Sequence, residues 1–243
     1  MSNYYHNLDE LQAKHFASLK AGDKMVLVVP LPKQPPEGST CYHTDEEYAF
    51  FCDDNAPYET CNRGEIELPY PPNARVGFRE TWGICLQASP HSYNKYLYKV
   101  DNYCGGICLF TCYTKWHSSQ SMPIEAIQDW GKVTATRVDR VQGVTVSEIA
   151  FTGIMSADPE TKGSLTDEFK DWFNARYSKP RPRVEKGAII SYECCIYSWH
   201  DVHYGITKDY RYRFYGNKRY EWKGKPLKII VDPVCAITKM KKE

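Results

Sequence analysis

The segment Lys24–Pro30 reads KMVLVVP, and the prediction of the fold starts from it. Its five central residues are all apolar. Gly22 lies just before the run and Pro30 closes it. A short apolar run between such breakers is typical of a buried strand. We therefore predict a buried strand over Lys24–Pro30.

Further elements are predicted on either side of this strand. Residues 8–19 have apolar side chains near helical spacing and are followed by a glycine, which predicts a helix. Thr145 and Glu148 form a capping box that begins a short helix, ended by Gly153. In Leu165–Tyr177 the apolar residues form one helical stripe, which we interpret as core. Strands are predicted at 75–86, 96–100, 132–141, 188–197 and 227–237.

The order of these elements predicts the fold class. Several strands interrupted by two or three helices, without an internal repeat, favour an α+β protein with a mainly antiparallel sheet or a small barrel. We expect one domain over residues 1–243. Residues 32–73 are rich in Pro, Asp, Asn and Gly, and we expect this stretch to be irregular.

Composition limits the kinds of partner. The chain has 243 residues and a formal net charge of +1, so a polyanionic partner would need a local basic patch. No stretch approaches the roughly 18 apolar residues of a membrane-spanning helix. The polar start argues against a secretory signal, and we expect a cytoplasmic protein without a membrane partner. The ten cysteines contain no Cys-x-x-Cys pair. We therefore expect buried free thiols, and predict no metal or other cofactor.

The stretch 208–225, KDYRYRFYGNKRYEWKGK, combines positive charge with aromatic rings. It holds seven basic, two acidic and six aromatic residues. We predict a hairpin at about 209–223 with a three-residue loop at 216–218. This register pairs Phe214 with Tyr220 and Tyr212 with Trp222, and so gathers the rings on one face.

Two interpretations of this hairpin stay open. In the first, its aromatic face covers the core while the basic face meets solvent. Alternatively, it is a nucleic-acid arm, in which cations hold phosphates and rings stack on unpaired bases. The candidate phosphate contacts are Arg211, Arg213, Lys218 and Arg219.

Several short motifs, in order along the chain, resemble the ASCH domain of the PUA-like superfamily, in particular its longer phage-type versions. They are LKAGDK at 19–24, KQPPE at 33–37, RETW at 79–82, WHSSQSMP at 116–123 and TATRVDRVQ at 134–142. The RETW and WHSSQSMP motifs are the more specific ones. The resemblance covers about 19–37, 73–177 and 226–240, which leaves 38–72 and 178–225 as insertions.

The resemblance implies a small β-barrel with flanking helices and a cleft for RNA or a modified nucleoside. The residues it places around that cleft are Arg79, Trp82, Trp116 and Ser118. Lys24 is either a further cleft residue or a side chain at the strand end that extends to solvent. An arginine there could bind a phosphate with two hydrogen bonds, and an exposed tryptophan could stack on a base. The alternatives are an ion pair between Arg79 and Glu80 or another acid, and packing of both tryptophans in the core.

One branch of the family hydrolyses acetylated cytidine with a Lys, a Thr and a Glu. Lys24 matches the Lys, but Met25 and Leu27 occupy the Thr positions and Thr152 occupies the Glu position. A hydrolase of that type would lack its hydroxyl and its general acid/base. The chain also has no Walker, GxGxxG, GxSxG or HExxH motif, so the sequence supports no reaction class.

We therefore expect non-catalytic binding of RNA or single-stranded nucleic acid, in the host cytoplasm if the chain is phage-encoded. Two alternatives from other classes remain. One is an enzyme that acts on a modified nucleoside or on RNA through unrecognised residues. The other is a phage protein that blocks a host protein with its inserted segments.

Overall fold

The structure of the protein is a computed structural model that describes residues 3–36, 39–45, 47–53, 64–84, 96–99, 115–154, 164–177, 182–185, 188–192, 196–199, 212–215, 218–222 and 229–243. The α-helices in these ranges are α1 (Glu10–Ser18), α2 (Val146–Ile149) and α3 (Leu165–Tyr177). The strands are β1 (Asn3–Asn7), β2 (Lys24–Pro30), β3 (Ser39–Thr44), β4 (Tyr48–Asp53), β5 (Gly64–Glu67), β6 (Arg75–Arg79), β7 (Trp82–Ile84), β8 (Tyr96–Tyr98), β9 (Trp130–Arg140), β10 (Pro182–Glu185), β11 (Ala188–Tyr192), β12 (Ile196–Ser198), β13 (Tyr212–Tyr215), β14 (Lys218–Trp222), β15 (Ile229–Val231) and β16 (Val234–Lys242). The predicted α+β class is confirmed.

The largest sheet joins strands from both ends of the chain. Its order is β1-β6-β9-β16-β2, with β1 parallel to β6 and the other pairs antiparallel. The predicted strand over Lys24–Pro30 is confirmed with the same bounds, and Met25 and Leu27 within it are fully buried. We call this five-stranded unit the main sheet.

Each face of the main sheet has its own core. On one face, Phe16 of α1 packs with Met25, Phe78 and Met240. On the other, α2 and α3 cover one end of β2 and β16, where Phe169 of α3 packs among buried side chains such as Val28, Ile237 and Phe173. The part of this second face formed by β1, β6 and the start of β9 is not covered by α2 or α3.

The short helix α2 begins as predicted. The Thr145 side chain accepts from the backbone N–H of Glu148, and the Glu148 carboxylate accepts from the backbone N–H of Thr145, so both halves of the capping box are present. The apolar stripe of α3 is core, as predicted: Phe169 and Phe173 are fully buried.

The prediction of an irregular segment at 38–72 was wrong. Strands β3, β4 and β5 form an antiparallel sheet in that order. Alternate residues of this sheet are buried, Ala49 and Phe51 on β4 and Ile66 on β5, and they pack against Leu31 and Val234. These contacts to distant segments stabilise strands that the local composition does not favour.

The expectation of free thiols holds only in part. Cys41 is partly buried and free, and Cys235 is buried and free. Cys52, in contrast, is disulfide-bonded. The protein is therefore not a purely reduced chain in this structure.

The hairpin is present, but its predicted register was wrong. In β13 and β14, Tyr212 pairs with Glu221 and Tyr215 pairs with Lys218. This leaves two residues, Gly216 and Asn217, between the paired ends rather than three. The observed register therefore does not sort the rings onto one face.

The described strands form open sheets, so the closed barrel that we predicted is not confirmed. A separate four-stranded sheet has the order β10-β11-β14-β13, and β12 pairs with β15. Within the described ranges, no helix has the length and hydropathy needed to cross a membrane.

Candidate functional site

Arg79, at the end of β6, lies on the second face of the main sheet, in the part where Tyr5 and Trp130 pack against Trp82, Met122 and Ile127 rather than against α2 and α3. Its guanidinium carbon is 4.3 Å from the ring centroid of Tyr5, on the neighbouring strand β1. Its Nε is buried and has no hydrogen-bond partner. The predicted alternative, an ion pair with Glu80, is not seen. Adjacent residues of an extended chain point to opposite sides, and Glu80 is itself buried.

Arg79 differs from the other arginines whose side chains the structure describes. Each of the others donates to a carboxylate or carbonyl oxygen: Arg75 to Glu243, Arg137 to Glu148 and Asp139, Arg140 to the carbonyl of Asp232, and Arg176 to Asp9. Arg79 makes no such bond to any described residue. A buried donor without an acceptor costs about 1–3 kcal/mol, and more when it is charged. Asn7, paired in register with Arg79, also has a buried side-chain oxygen without a partner.

Two rings lie between two arginines on this face. Arg75 lies 4.0 Å above the Trp130 ring, Trp130 meets Tyr5 edge-on at 6.3 Å, and Arg79 lies above Tyr5. We call these four residues the arginine–aromatic ladder. Gly77 makes room for it, because a Cβ at this position would lie only 2.9 Å from Cζ3 of Trp130. Tyr5 and Trp130 are half-buried, and both pack against the buried cluster that contains Trp82, Met122 and Ile127.

The two predicted tryptophans differ in exposure. Trp82 is 7% exposed, stacks on His117 at 4.8 Å, and packs in a cluster with Tyr98 and Met122. It therefore fits the alternative of core packing, and its covered ring is not a surface for a base. Trp116 is 46% exposed, and the backbone bridge between Trp82 and His117 holds it beside β7.

Ser118 is exposed and has a structural role in the described chain. Its hydroxyl accepts from the backbone N–H of Gln120 at 3.2 Å and so caps the 3₁₀ turn Ser119–Ser121. This 3₁₀ turn also supports Trp82, whose Nε1 donates to the hydroxyl of Ser121 at 3.4 Å.

Lys24 lies on the same sheet face as Arg79. It is exposed at the start of β2, and its register partner is Lys241 of β16. The register thus brings two of the predicted residues, Lys24 and Arg79, to one face, separated by the strands between them. The hairpin residues are not joined to this face by any described contact. Arg211 lies outside the described residues, and Arg213, Lys218 and Arg219 are described by strand and register alone.

The positions that match the hydrolase branch of the family are structural here. Met25 and Leu27 are fully buried in the core. Thr152 is buried too, and its hydroxyl donates to the carbonyl of Ile149 at 2.7 Å. These side chains offer no group to a substrate.

A buried polar network joins α3 to β1, to Asp9 at the start of α1 and to Tyr70. Arg176 of α3 donates to Asp9, which also accepts from the indole of Trp172. Arg176 lies 3.4 Å from Nε2 of His6, whose Nδ1 is 2.7 Å from the hydroxyl of Tyr70. Because an arginine only donates, Nε2 is the acceptor and the neutral ring keeps its proton on Nδ1. Burial, and then the charge of Arg176, lowers the pKa of His6 to about 3.

Sequence reasoning missed Tyr5, Arg75 and Trp130. A signal for part of the set was available, since Arg75 and Arg79 alternate with Gly77 at the spacing that puts residues on one face of a strand. Tyr5 and Trp130 could not be predicted from their spacing, because their place beside the arginines depends on the pairing of β1 and β9 with β6.

No group of three His, Cys, Asp or Glu side chains suited to a metal occurs among the residues that the structure describes. Comparisons of the chain with protein-family models, with curated proteins and with solved structures find no match. The site is therefore interpreted from its own chemistry.

Proposed function

We propose that this protein binds RNA or another single-stranded nucleic acid, without catalysis, at the arginine–aromatic ladder. The observation that carries the proposal is Arg79, a half-buried cation without a hydrogen bond or acid among the described residues. A phosphate oxygen would supply the missing acceptor. Arginine binds phosphate through two parallel hydrogen bonds, which are stronger than those between neutral groups.

The aromatic half of the ladder favours nucleic acid over a simple anion. Tyr5 and Trp130 lie between the two arginines and are only partly buried. Stacking of an unpaired base on such a ring contributes about 1–3 kcal/mol. Exposed Trp116 offers a further ring near β7. The proposal retains the ASCH-like resemblance, with its barrel and its cleft for RNA, as a hypothesis about the fold family.

A binding assay with a fluorescent oligouridine tests this function. We expect the wild-type protein to bind the oligouridine and to leave it chemically intact. The substitution Arg79→Gln removes the charge and should weaken binding at least about tenfold, since a hydrogen bond to a charged group is worth about 1.5–3 kcal/mol.

The matched control is Arg140→Gln. Arg140 is exposed at the other end of β9, where it donates to a backbone carbonyl. Equal affinity of the wild type and Arg79→Gln, or equal losses in both variants, would contradict the proposed site. Cleavage or chemical change of the oligouridine would support the enzymatic alternative.

A further inference from the structure

Three lysines lie in one row across the main sheet. Lys241 of β16 is paired with Lys24 of β2 on one side and with Lys132 of β9 on the other. Directly paired residues project their side chains from the same face of a sheet. All three lysines are exposed. We call them the lysine row.

The lysine row leads to the arginine–aromatic ladder. Lys132 is paired with Arg75 of β6, and Trp130 lies two positions before Lys132, hence on the same face. Neighbouring strands lie about 4.8 Å apart, so cations follow one another about every 5 Å from Lys24 to Arg75. The row and the ladder therefore form one continuous surface.

The lysine row has no acidic partner among the described residues. Glu243 pairs with Arg75, Asp129 with Lys242 and Glu148 with Lys239, and the carboxylate of Asp23, next to Lys24, accepts from the backbone N–H of Lys20. Like charges on directly opposite residues destabilise a sheet. The lysine row therefore lowers the stability of the free protein, and a line of negative charges bound along it would remove the repulsion.

We propose that the lysine row holds the sugar–phosphate backbone of a single-stranded nucleic acid. The strand crosses β2, β16 and β9, its phosphates contact Lys24, Lys241 and Lys132, and its bases reach Trp130 and Tyr5. The inference rests on the proposed function. It extends the proposed contact from Arg79 to a path across three strands of the main sheet. Cations beside aromatic rings are the arrangement with which proteins hold single strands. An acidic protein or an anionic membrane would use the lysines but not the rings.

Salt dependence of binding tests the path. The variant combines Lys24→Gln, Lys132→Gln and Lys241→Gln, and the probe is the fluorescent oligouridine in a salt series between roughly 50 and 200 mM. Each phosphate contact on a single strand contributes about 0.7 to the slope of log affinity against log salt. The slope should therefore fall by about 2, which makes the loss of affinity across this series about twentyfold smaller than for the wild type. In the absence of the oligouridine, the variant should unfold at the same or a higher denaturant concentration, because the repulsion is gone.

The control combines Lys33→Gln, Arg140→Gln and Lys170→Gln, which removes the same charge away from the row. Lys33 lies just beyond the last residue of β2, and Arg140 is the last residue of β9, so both lie towards the end of their strand away from the lysine row. Lys170 lies on α3. An unchanged slope in the lysine-row variant overturns the path, as does an equal change in the control. If Arg79→Gln still weakens binding in those cases, the proposed function stands. A wild-type protein that leaves the oligouridine unbound, or binds phosphatidylserine vesicles in its place, overturns both.

Discussion

At the scale of single residues, the described buried polar groups differ in how they are paired, and six of their side-chain atoms, the Nε of Arg79 among them, have no hydrogen-bond partner. His6 is 7% exposed, yet both ring nitrogens have a polar neighbour, Tyr70 on one side and Arg176 on the other. The geometry requires the neutral ring, because Arg176 occupies Nε2. Arg79 lacks any such arrangement, and this contrast is why it is assigned to a ligand rather than to the fold.

The buried His6 should make stability depend on pH. Its pKa is about 3 in the folded protein and about 6.5 in the unfolded chain, so below pH 6.5 only the unfolded chain takes up the proton. The free energy of unfolding should therefore fall by up to about 1.4 kcal/mol per pH unit as the pH drops from about 6.5 towards 3. In His6→Gln this dependence should be weaker between pH 6.5 and 4.5, as measured by urea unfolding at several pH values.

The control for this experiment is His43→Gln, because His43 is exposed on β3. It should keep the pH dependence of the wild type. Burial also lowers the pKa of His15. The part of the pH dependence of stability that His15 contributes should therefore remain in all three proteins. If His6→Gln and the wild type lose stability in parallel, His6 is charged in the folded protein and the interpretation of its ring is wrong.

At the scale of elements, α2 illustrates how a helix of four residues is held. Such a helix is too short to be stable alone. Glu148 caps it from within and binds across to β9 and β16, through Arg137 at 2.6 Å and Lys239 at 3.1 Å. The hydrogen bond from Arg137 is the main reason why the pKa of Glu148 falls to about 2. One carboxylate thus fixes α2 to two strands of the main sheet.

Glu148→Gln should lower the free energy of unfolding at pH 7 by about 1–2 kcal/mol, a figure that allows for solvent at the partly exposed Arg137. The folded-state pKa lies below the ordinary value of 4.5, so this contribution is complete above pH 4.5 and is lost as the pH falls towards 2. The wild type and the variant should therefore converge in acid. Urea unfolding measures both effects, with Glu67→Gln, an exposed glutamate of β5, as the control. A constant difference down to pH 2 would contradict the ion-pair account.

Elements with a strong local pattern were predictable, and those fixed by distant contacts were not. The strand Lys24–Pro30 and the helix Leu165–Tyr177 follow from apolar runs and stripes, and the structure has them with the same bounds. Strands β3 to β5 depend on packing against Leu31 and Val234, which a local composition does not report. In the hairpin, the sorting of rings by face predicted a register that the structure does not have.

At the scale of the whole molecule, the candidate site is a product of sheet order. The ladder and the lysine row draw on β1, β6, β9, β16 and β2, which are spread from Asn3 to Lys242. Arg79 and Lys24 could be selected as candidates by resemblance, but their common face requires the register of these strands. Tyr5, Arg75, Trp130, Lys132 and Lys241 join the surface only through that register. The formal net charge of +1 does not reveal the patch, because a sum over the chain does not say which charged residues the strand register brings together.

The last strand should decide whether this surface exists at all. β16 lies between β9 and β2, is the partner of β2 in the main sheet, and has Cys235, Ala236 and Ile237 fully buried. A chain that ends at Asp232 would leave β2 without its ladder of hydrogen bonds and open both cores. Burial of a single large aliphatic side chain is worth about 1.5–3 kcal/mol, and total stabilities are about 5–15 kcal/mol.

The shortened chain should therefore lose its cooperative unfolding transition in circular dichroism, together with oligouridine binding. Removal of Glu243 alone, which breaks only the contacts of that residue with Arg75 and Trp130, should keep the transition. A sigmoidal transition in the chain that ends at Asp232 would mean that β16 is dispensable, and that the lysines and arginines do not depend on it for their common face.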